Sequence, residues 1–567
     1  MIGAPLWSVM HSGSRFALAT AALVASGCAA TGGTLPDRPA PGTPFHQIMA
    51  AIAADRGATA TAVEEYLATA EAGNDAAASR RAAVYAFEHD YDAAALRAAR
   101  RWAALEPAEP AAHRLVARLL VRRNDVSGAV DHAEAAIVGP AQRDEAATAA
   151  LADALAGEQN QDAVARVLGR IGARAASVSP TLQLALGSAA LQAGDDVLAE
   201  AAARTLLAAS PDAELRTEAE VLVGRALAAR GDTAAALDWL RSRRVAGSPL
   251  GLELEYVGLL AADDRVEDAL IELATIGKRY PDEPRIRRLR ALIGKDGPDR
   301  RDAFEDFRAL IAVPEFADEA GFRLAEMSIR EQQYEQAVQL LARIGDGPWL
   351  LPAQDGLARL AEAGGEGEAA ERLWERVAER YPQRAFEAEA YRAALLDRLG
   401  RTDDALRLMT RNLLHRPDDV GTLLNRGALL DRIGRHDEAI ADMTAAVRIL
   451  PDSAVALNAL GYTLSIRTSR QTEALGYIRR ALERSPDSAA IMDSYGWVLF
   501  RLGRLPEARS FLQYAYSQLA DPEIAAHLGE VMWRQGDRDA ARTLWQDARE
   551  KHPQNEPLQE TVKRLLD

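Results

Sequence analysis

A chain of 567 residues is too long for one compact core, so it must fold either as several domains or as a repeat array. Alanine makes up about a fifth of the chain and aromatic residues only 5%, a composition of strong helix formers that favours an array of closely packed helices. The formal net charge of −16 argues against nucleic acid as a partner, because a phosphate-binding surface needs a basic stripe.

The first 27 residues are typical of a lipoprotein signal peptide. Arg15 precedes an apolar run over residues 16–25, which is too short to span a bilayer but suits the apolar region of an export signal. Two small residues then lead to Cys28, the only cysteine of the chain. This order resembles the lipobox of bacterial lipoproteins, where the thiol is lipidated and the peptide is cleaved before the cysteine. The alternative is an ordinary signal peptide with Cys28 incidental, and the start is Met1 or Met10.

Residues 28–44 are predicted to form a tether behind the lipidated Cys28. Residues 29–44 hold four prolines, three glycines and too few large apolar side chains to fold. Several acyl chains on one cysteine give stable membrane anchoring. Ala29 follows the cysteine, and in the resembling lipoproteins of Gram-negative bacteria the absence of Asp there implies sorting to the outer membrane. We therefore expect a protein that is anchored to the outer membrane by lipid only and faces the periplasm.

From about residue 43 the sequence repeats with a period close to 34. The clearest copies carry a small marker residue at Gly427, Gly461, Gly496 and Gly529, with spacings of 34, 35 and 33. A second glycine follows seven residues later in three copies, and an alanine follows twelve or thirteen residues later in all four. The marker lets helix A pack closely on helix B, the second glycine ends helix A, and the alanine lies where helix B crosses its neighbour.

This pattern matches the tetratricopeptide repeat and extends backward through the chain. Further markers lie 33–37 residues apart at Ala50, Ala83, Ala117, Ala152, Gly187, Gly224, Gly258, Ala291, Ala325, Ala358 and Ala393. The predicted fold class is therefore all-α, a solenoid of about fifteen helical hairpins coiled into a right-handed superhelix. We expect degenerate repeats over residues 45–390 and regular repeats over residues 391–567. The units marked by Ala152 and Ala291 are the least regular.

Catalytic and cofactor motifs do not occur in the sequence. The chain has no G-x-S-x-G, no G-x-x-x-x-G-K-[ST] and no G-x-G-x-x-G between a strand and a helix. Its nine histidines lie singly without H-E-x-x-H, and one cysteine excludes an internal disulfide. Carboxylate pairs such as Asp418 and Asp419 fit helix starts, where they cap free N–H groups. We predict a protein without catalytic residues, metal ions or cofactors.

Aromatic residues cluster in the last third of the chain, and the repeat frame places several of them in the concave groove. Groove positions lie three residues before, one after and four after each marker. Those suited to holding a peptide are Asn458, Tyr462, Asp493, Trp497, Phe500, Glu530 and Trp533. Rings with polar edges beside amide and carboxylate groups supply apolar anchors and main-chain hydrogen bonds. The alternative is that these rings only cover neighbouring helices at the end of the solenoid.

Four segments in the final part of the chain carry a more particular resemblance: LNALGYTL, DSYGWVLFRLGR, DPEIAAHLGEVMW and ARTLWQDA. They resemble the C-terminal part of large outer-membrane tetratricopeptide lipoproteins of proteobacteria. This family includes lipoprotein binding partners of periplasmic carboxyl-terminal processing proteases of the CtpA type. The resemblance implies a noncatalytic adaptor that binds this serine protease and brings it its substrates, chiefly peptidoglycan hydrolases, which promotes their proteolysis.

A second class of function stays open at this point. Other tetratricopeptide lipoproteins assist the assembly of pilus secretins or outer-membrane proteins, and the repeat alone does not separate these roles. The alternative is a structural assembly factor for an envelope machine such as a pilus, a secretin or a polysaccharide exporter.

Overall fold

The computed structural model describes residues 44–566, apart from 57, 138–144, 159, 174–178, 210, 246, 298–299 and 487. The predicted signal peptide, Cys28 and almost all of the tether lie outside these residues. Within them every regular element is helical, with 31 α-helices and one short 3₁₀ turn at Pro382–Arg384. The all-α fold class is therefore confirmed.

The helices pair into fifteen consecutive hairpins, α1–α2 to α29–α30, and α31 follows the last of them. The first seven hairpins comprise α1 Pro44–Asp55, α2 Thr59–Ala72, α3 Ala76–Glu88, α4 Asp92–Leu105, α5 Pro110–Arg122, α6 Val126–Ile137, α7 Glu145–Ala156, α8 Gln161–Ala173, α9 Pro180–Gln192, α10 Asp196–Ala208, α11 Ala213–Ala229, α12 Thr233–Arg243, α13 Leu250–Ala262 and α14 Val266–Arg279. The next four comprise α15 Pro284–Gly294, α16 Arg300–Leu310, α17 Ala317–Arg330, α18 Tyr334–Leu341, α19 Leu350–Ala363, α20 Gly367–Arg380, α21 Ala385–Arg398 and α22 Thr402–His415. The last four, with α31, comprise α23 Val420–Arg432, α24 His436–Ile449, α25 Ala454–Arg467, α26 Gln471–Arg484, α27 Ala489–Arg501, α28 Leu505–Gln518, α29 Pro522–Arg534, α30 Arg538–Lys551 and α31 Glu556–Leu566.

Small residues hold the two helices of each hairpin together. Every marker residue lies on an odd-numbered helix. The alanine eleven to thirteen residues after each marker is at most 2% exposed in all fifteen hairpins. At several markers no space is left for a larger side chain, since a Cβ atom added to Gly461 would lie 2.5 Å from Cγ1 of Ile478, whereas Gly258 has open space beside it. The mechanical role predicted for marker and alanine is therefore what the packing shows.

The turn inside most hairpins needs one residue with a left-handed backbone. Gly434, with φ of 84°, ends α23 in this way. In four earlier hairpins the same place is held by Asp90, Asn124, Asp264 and Gln332, whose φ values lie between 56° and 61°. Asn and Asp tolerate this conformation better than most residues. The geometry of the turn is thus kept where the glycine of the repeat pattern is absent.

One hairpin departs from the regular packing. Helix α7 lies mainly against α9 and α6, and α8 against α9 and α6, while α7 and α8 contact each other little. This hairpin contains Ala152, one of the two units predicted to be least regular. The other such unit, marked by Ala291, forms an ordinary hairpin of α15 and α16.

The odd-numbered helices form the inner layer of the array. Along most of its length each odd-numbered helix packs on the next one, for example α25 on α27 and α27 on α29. Close contacts between even-numbered helices are confined to the first part of the chain. In a curved stack the layer whose members stay in contact lies on the inside of the curve, so the odd-numbered helices line the concave face.

The array curves until hairpins that are nine apart meet. The ring centroids of Tyr91 and Phe386 lie 5.5 Å apart. Nη1 of Arg123 lies 3.8 Å from Oδ2 of Asp418, and Nη1 of Arg166 lies 3.9 Å from Oδ2 of Asp452. We call this line of contacts, Tyr91–Phe386, Arg123–Asp418 and Arg166–Asp452, the seam.

Polar space remains between the two edges of the seam. A cavity of about 1150 Å³ lies there, lined mainly by charged side chains such as Asp92, Asp195, Arg384 and Arg484. Burial at the seam raises the pKa of Asp90, although the nearby Arg416 partly offsets this effect.

Candidate partner-binding groove

Three inner helices, α25, α27 and α29, carry the predicted groove residues. Each begins at a side chain that accepts a hydrogen bond from the first turn: Ser453 before α25, Ser488 before α27 and Asp521 before α29. Pro522 adds a fixed φ at the first position of α29. These caps fix where each helix starts and therefore which side chains face the concave side.

Four predicted residues meet around a residue that the sequence analysis missed, His527 on α29. Nδ1 of His527 lies 3.0 Å from both carboxylate oxygens of Asp493. The indole of Trp497 stacks on the imidazole, with centroids 4.0 Å apart, and on Phe500 at 4.9 Å. The ring of Tyr462 lies 6.5 Å from the imidazole. We call these five residues the ring cluster.

Charge and burial set the protonation of the ring cluster. Burial alone would lower the pKa of His527, but the carboxylate of Asp493 and its hydrogen bond outweigh this and raise it above the usual value. The carboxylate of Asp493 and the indole face of Trp497 both favour the protonated form of the imidazole. Burial also raises the pKa of the Tyr462 hydroxyl, so Tyr462 remains a neutral hydrogen-bonding group.

The other three predicted residues lie outside this cluster. Glu530 is buried and accepts paired hydrogen bonds from the guanidinium of Arg564 on α31. Trp533 is half-buried, and its ring lies 5.9 Å from that of Trp545 on α30. Asn458 on α25 is half-buried, and its buried Oδ1 has no hydrogen-bond partner among the described residues.

The carboxylates of Asp493 and Glu530 are therefore already paired within the protein. Both carboxylates are buried, so their role is in the packing of α27, α29 and α31 and not in direct contact with a ligand. The surfaces left for a partner are the half-buried rings of Tyr462, Trp497 and Phe500.

A ladder of ion pairs joins the inner helices just before this region. A carboxylate four residues after one marker pairs with an arginine five or six residues after the next. The pairs are Glu362–Arg398 at 2.9 Å, Asp397–Arg432, and Asp431–Arg467 at 2.9 Å. We call these three pairs the ladder. They cross-link α19, α21, α23 and α25 along the concave face.

The contacts between inner helices follow the repeat period, which is the signal by which they could have been found. Asp493 and His527 are 34 residues apart, as are Glu530 and Arg564. Complementary residues one period apart on a repeating surface face each other when the units stack. The contact of His113 with His132, whose Nδ1 atoms lie 3.0 Å apart, has a different spacing of 19 residues. It joins the two helices of one hairpin.

Two further kinds of site were sought in the structure. Among the described residues, no three His, Cys, Asp or Glu side chains come together in an arrangement able to hold a metal ion. In the same part of the chain, no helix has both the length and the apolar character needed to cross a membrane.

Comparison with protein families identifies the repeat in the C-terminal part. One tetratricopeptide repeat model matches residues 391–454 and 467–523, and a second model of this repeat matches residues 527–555. A relative is the TPR repeat-containing protein PA4667 of Pseudomonas aeruginosa, 28% identical over 214 residues. The alignment covers 38% of this chain and spans only 36% of the relative's length.

Solved tetratricopeptide structures resemble parts of the chain. One from Parabacteroides merdae is 15% identical, covers 44% of this chain and 99% of its own, and has a TM-score of 0.36. The protein TTC0263 of Thermus thermophilus is 24% identical over 32% of this chain and 99% of its own, with a TM-score of 0.30. PilW, a type IV pilus biogenesis factor, is 19% identical over 38% of this chain and 100% of its own, with a TM-score of 0.32.

The family matches agree with the repeat frame that the packing shows. The first and last matched segments start within the inner helices α21 and α29, and the matches together reach from α21 to α30 but leave out most of α25. The C-terminal part of the chain thus carries tetratricopeptide repeats, and the described residues as a whole form an all-helical array of hairpins.

Proposed function

We propose that the protein is a noncatalytic scaffold, held at the outer membrane by lipid on Cys28, that binds a periplasmic carboxyl-terminal processing protease together with its substrates. The substrates are peptidoglycan hydrolases, and their delivery to the protease promotes their proteolysis. The protease supplies the nucleophile, so the scaffold needs only surfaces that hold both proteins close together. Bringing two reactants together raises their effective concentration without new chemistry.

The observation that supports this proposal is the ring cluster on the concave face. Trp497 is stacked between His527 and Phe500, so its orientation is fixed before a partner arrives. Rigid aromatic side chains in a curved surface bind protein segments at low entropic cost. The resemblance of the C-terminal segments to lipoprotein partners of such proteases supports the choice of partner.

Affinity purification from detergent-solubilised envelopes tests the proposal. Wild-type protein should retain a carboxyl-terminal processing protease and cell-wall hydrolases. Trp497→Ala should lose them while its melting temperature stays close to that of the wild type, because the ring is only half-buried. The matched control is Tyr514→Ala, since Tyr514 is 51% exposed on the outer helix α28. This control should retain every partner.

Other outcomes point elsewhere. Recovery of secretin, pilus or polysaccharide-export components in place of a protease would support the assembly-factor alternative. A large drop in melting temperature of Trp497→Ala with unchanged partner binding would show that the ring cluster serves packing only.

A further inference from the structure

The ladder stops where the ring cluster begins. The next rung would join the residue four after Gly461 to the residue five after Gly496, which are Ser465 and Arg501. Ser465 is fully buried, and its Oγ has no hydrogen-bond partner among the described residues. Arg501 is exposed and forms no ion pair with any described side chain. The arginine of the rung is thus present, and the carboxylate is missing.

The following rung lacks its carboxylate in the same way. Phe500 occupies the acidic position, and the corresponding arginine is Arg534. Arg534 reaches Glu530 only at 3.8 Å, and that carboxylate is already held by Arg564. Two guanidinium groups on successive inner helices therefore lack a strong partner among the described residues.

Arg501 lies beside the rings. Phe500 and Arg501 are three and four residues after Trp497 on α27, so both side chains neighbour that of Trp497. Asp493 is paired with His527 and Glu530 with Arg564, while the exposed carboxylate of Glu523 also lies near the ring cluster. Arg501 places a positive charge beside the apolar rings, and Arg534 carries a second one on the next inner helix, on a chain whose net charge is −16.

We propose that Arg501 and Arg534 bind a carboxylate of a partner protein whose adjacent apolar side chain rests on Trp497 and Phe500. The ligand is a protein segment with Asp or Glu beside a large apolar residue. Its carboxylate is the partner for these arginines that Asp397 and Asp431 provide for the arginines of the preceding rungs. Guanidinium groups suit this role because they bind carboxylates through two parallel hydrogen bonds. The inference deepens the proposed function, since it names the chemistry that the groove selects.

Fluorescence polarisation with the detergent-solubilised full-length protein tests the inference. The probes are two short fluorescein-labelled peptides, one with glutamates on both sides of a Leu–Phe pair and one with glutamines in their place. Wild-type protein should bind the glutamate peptide on the order of tenfold more tightly, and salt should reduce this preference. Arg501→Ala should lose the preference. Arg479→Ala should keep it, because Arg479 lies on the outer helix α26.

A second variant supplies the missing carboxylate from within the chain. Ser465→Asp should complete the rung with Arg501 and weaken binding of the glutamate peptide, as Arg501→Ala does. If Ser465→Asp lowers the melting temperature strongly because this position is buried, Arg501→Gln is compared with the wild type instead and should also lose the preference for the glutamate peptide.

The inference is overturned if the wild type shows no preference for glutamate, or if Arg501→Ala keeps it. These results do not depend on which partner the cell supplies. If Arg501→Ala loses the peptide preference but wild-type protein recovers no protease from envelopes, the proposed function fails and the carboxylate site stands.

Discussion

Two histidines have pKa values that their surroundings shift in opposite directions. For His527, the carboxylate of Asp493 outweighs burial, so the pKa lies above its usual value. For His132, burial and the neighbouring His113 lower it. Proton binding therefore stabilises the contact of α27 with α29 and destabilises that of α5 with α6. At the scale of single residues, one chain carries pH responses of both signs.

His527 yields a prediction with a definite sign. Its folded-state pKa is above the unfolded value of about 6.5, so its stabilising effect is complete below about pH 6.5 and is lost as the pH rises through the folded value. Asp493→Asn should therefore cost about 1–3 kcal/mol near pH 6 and less near pH 9. Urea unfolding of wild type and variant at the two pH values measures this difference. A cost that grows with pH would contradict the assignment.

At the scale of the helix, close approach explains why glycine and alanine recur with the repeat period. The marker glycines of α25, α27 and α29 have no room for a Cβ atom, because it would meet Ile478, Leu512 or Trp545 at less than 3 Å. Helices that touch through backbone atoms cross at a fixed place, which keeps successive hairpins equivalent.

Gly461→Ala should therefore be destabilising by about 1–3 kcal/mol, because its new methyl group would push α26 away from α25. The matched control is Gly476→Ala in α26, where no atom lies within 4 Å of the added Cβ. In a helix interior this change should be neutral or stabilising by about 0.5–1 kcal/mol. Thermal unfolding of the two variants measures the contrast, and equal melting temperatures would refute it.

The sequence could predict the helical hairpins because period and packing have the same cause. The buried alanine recurs wherever helix B crosses its neighbour, so the pattern survives in degenerate hairpins. The left-handed turn is less visible, since Asp90, Asn124, Asp264 and Gln332 adopt it without glycine. In the groove, the repeat frame identified Asp493 and Trp497 but missed His527. The side chain of His527 faces the neighbouring inner helix α27 and borders the groove only at its edge.

At the scale of the whole molecule, the seam had no sequence signal at all. Arg123 and Asp418 are 295 residues apart, and nothing in either turn marks the other as its partner. Their meeting depends on the summed curvature of nine hairpins, to which each packing angle contributes a little. Local patterns determine such angles only approximately, so errors accumulate along the array.

The seam should respond to salt. Exposed ion pairs at 3.8–3.9 Å are worth at most about 1 kcal/mol each, and the Debye length falls to about 3 Å at 1 M salt. In a Cys28→Ala background, Tyr91→Cys with Phe386→Cys keeps both ion pairs and should be joined by a short bismaleimide at low salt and much less at about 1 M. The control pair is Tyr91→Cys with Asp264→Cys, whose turn lies five hairpins further along. Equal yields for both pairs would exclude the contact.

Solenoids commonly gain or lose whole repeats, because each unit contacts only its neighbours. Here Arg123 and Arg166 meet Asp418 and Asp452, which lie before the twelfth and thirteenth hairpins. Deleting one hairpin between the two edges of the seam would shift the pairing by one unit. Arg123 would then lie opposite the turn of Asp452, which now pairs with Arg166. The seam therefore fixes the number of units in this interval, whereas adding a hairpin beyond the seam would leave its contacts in place.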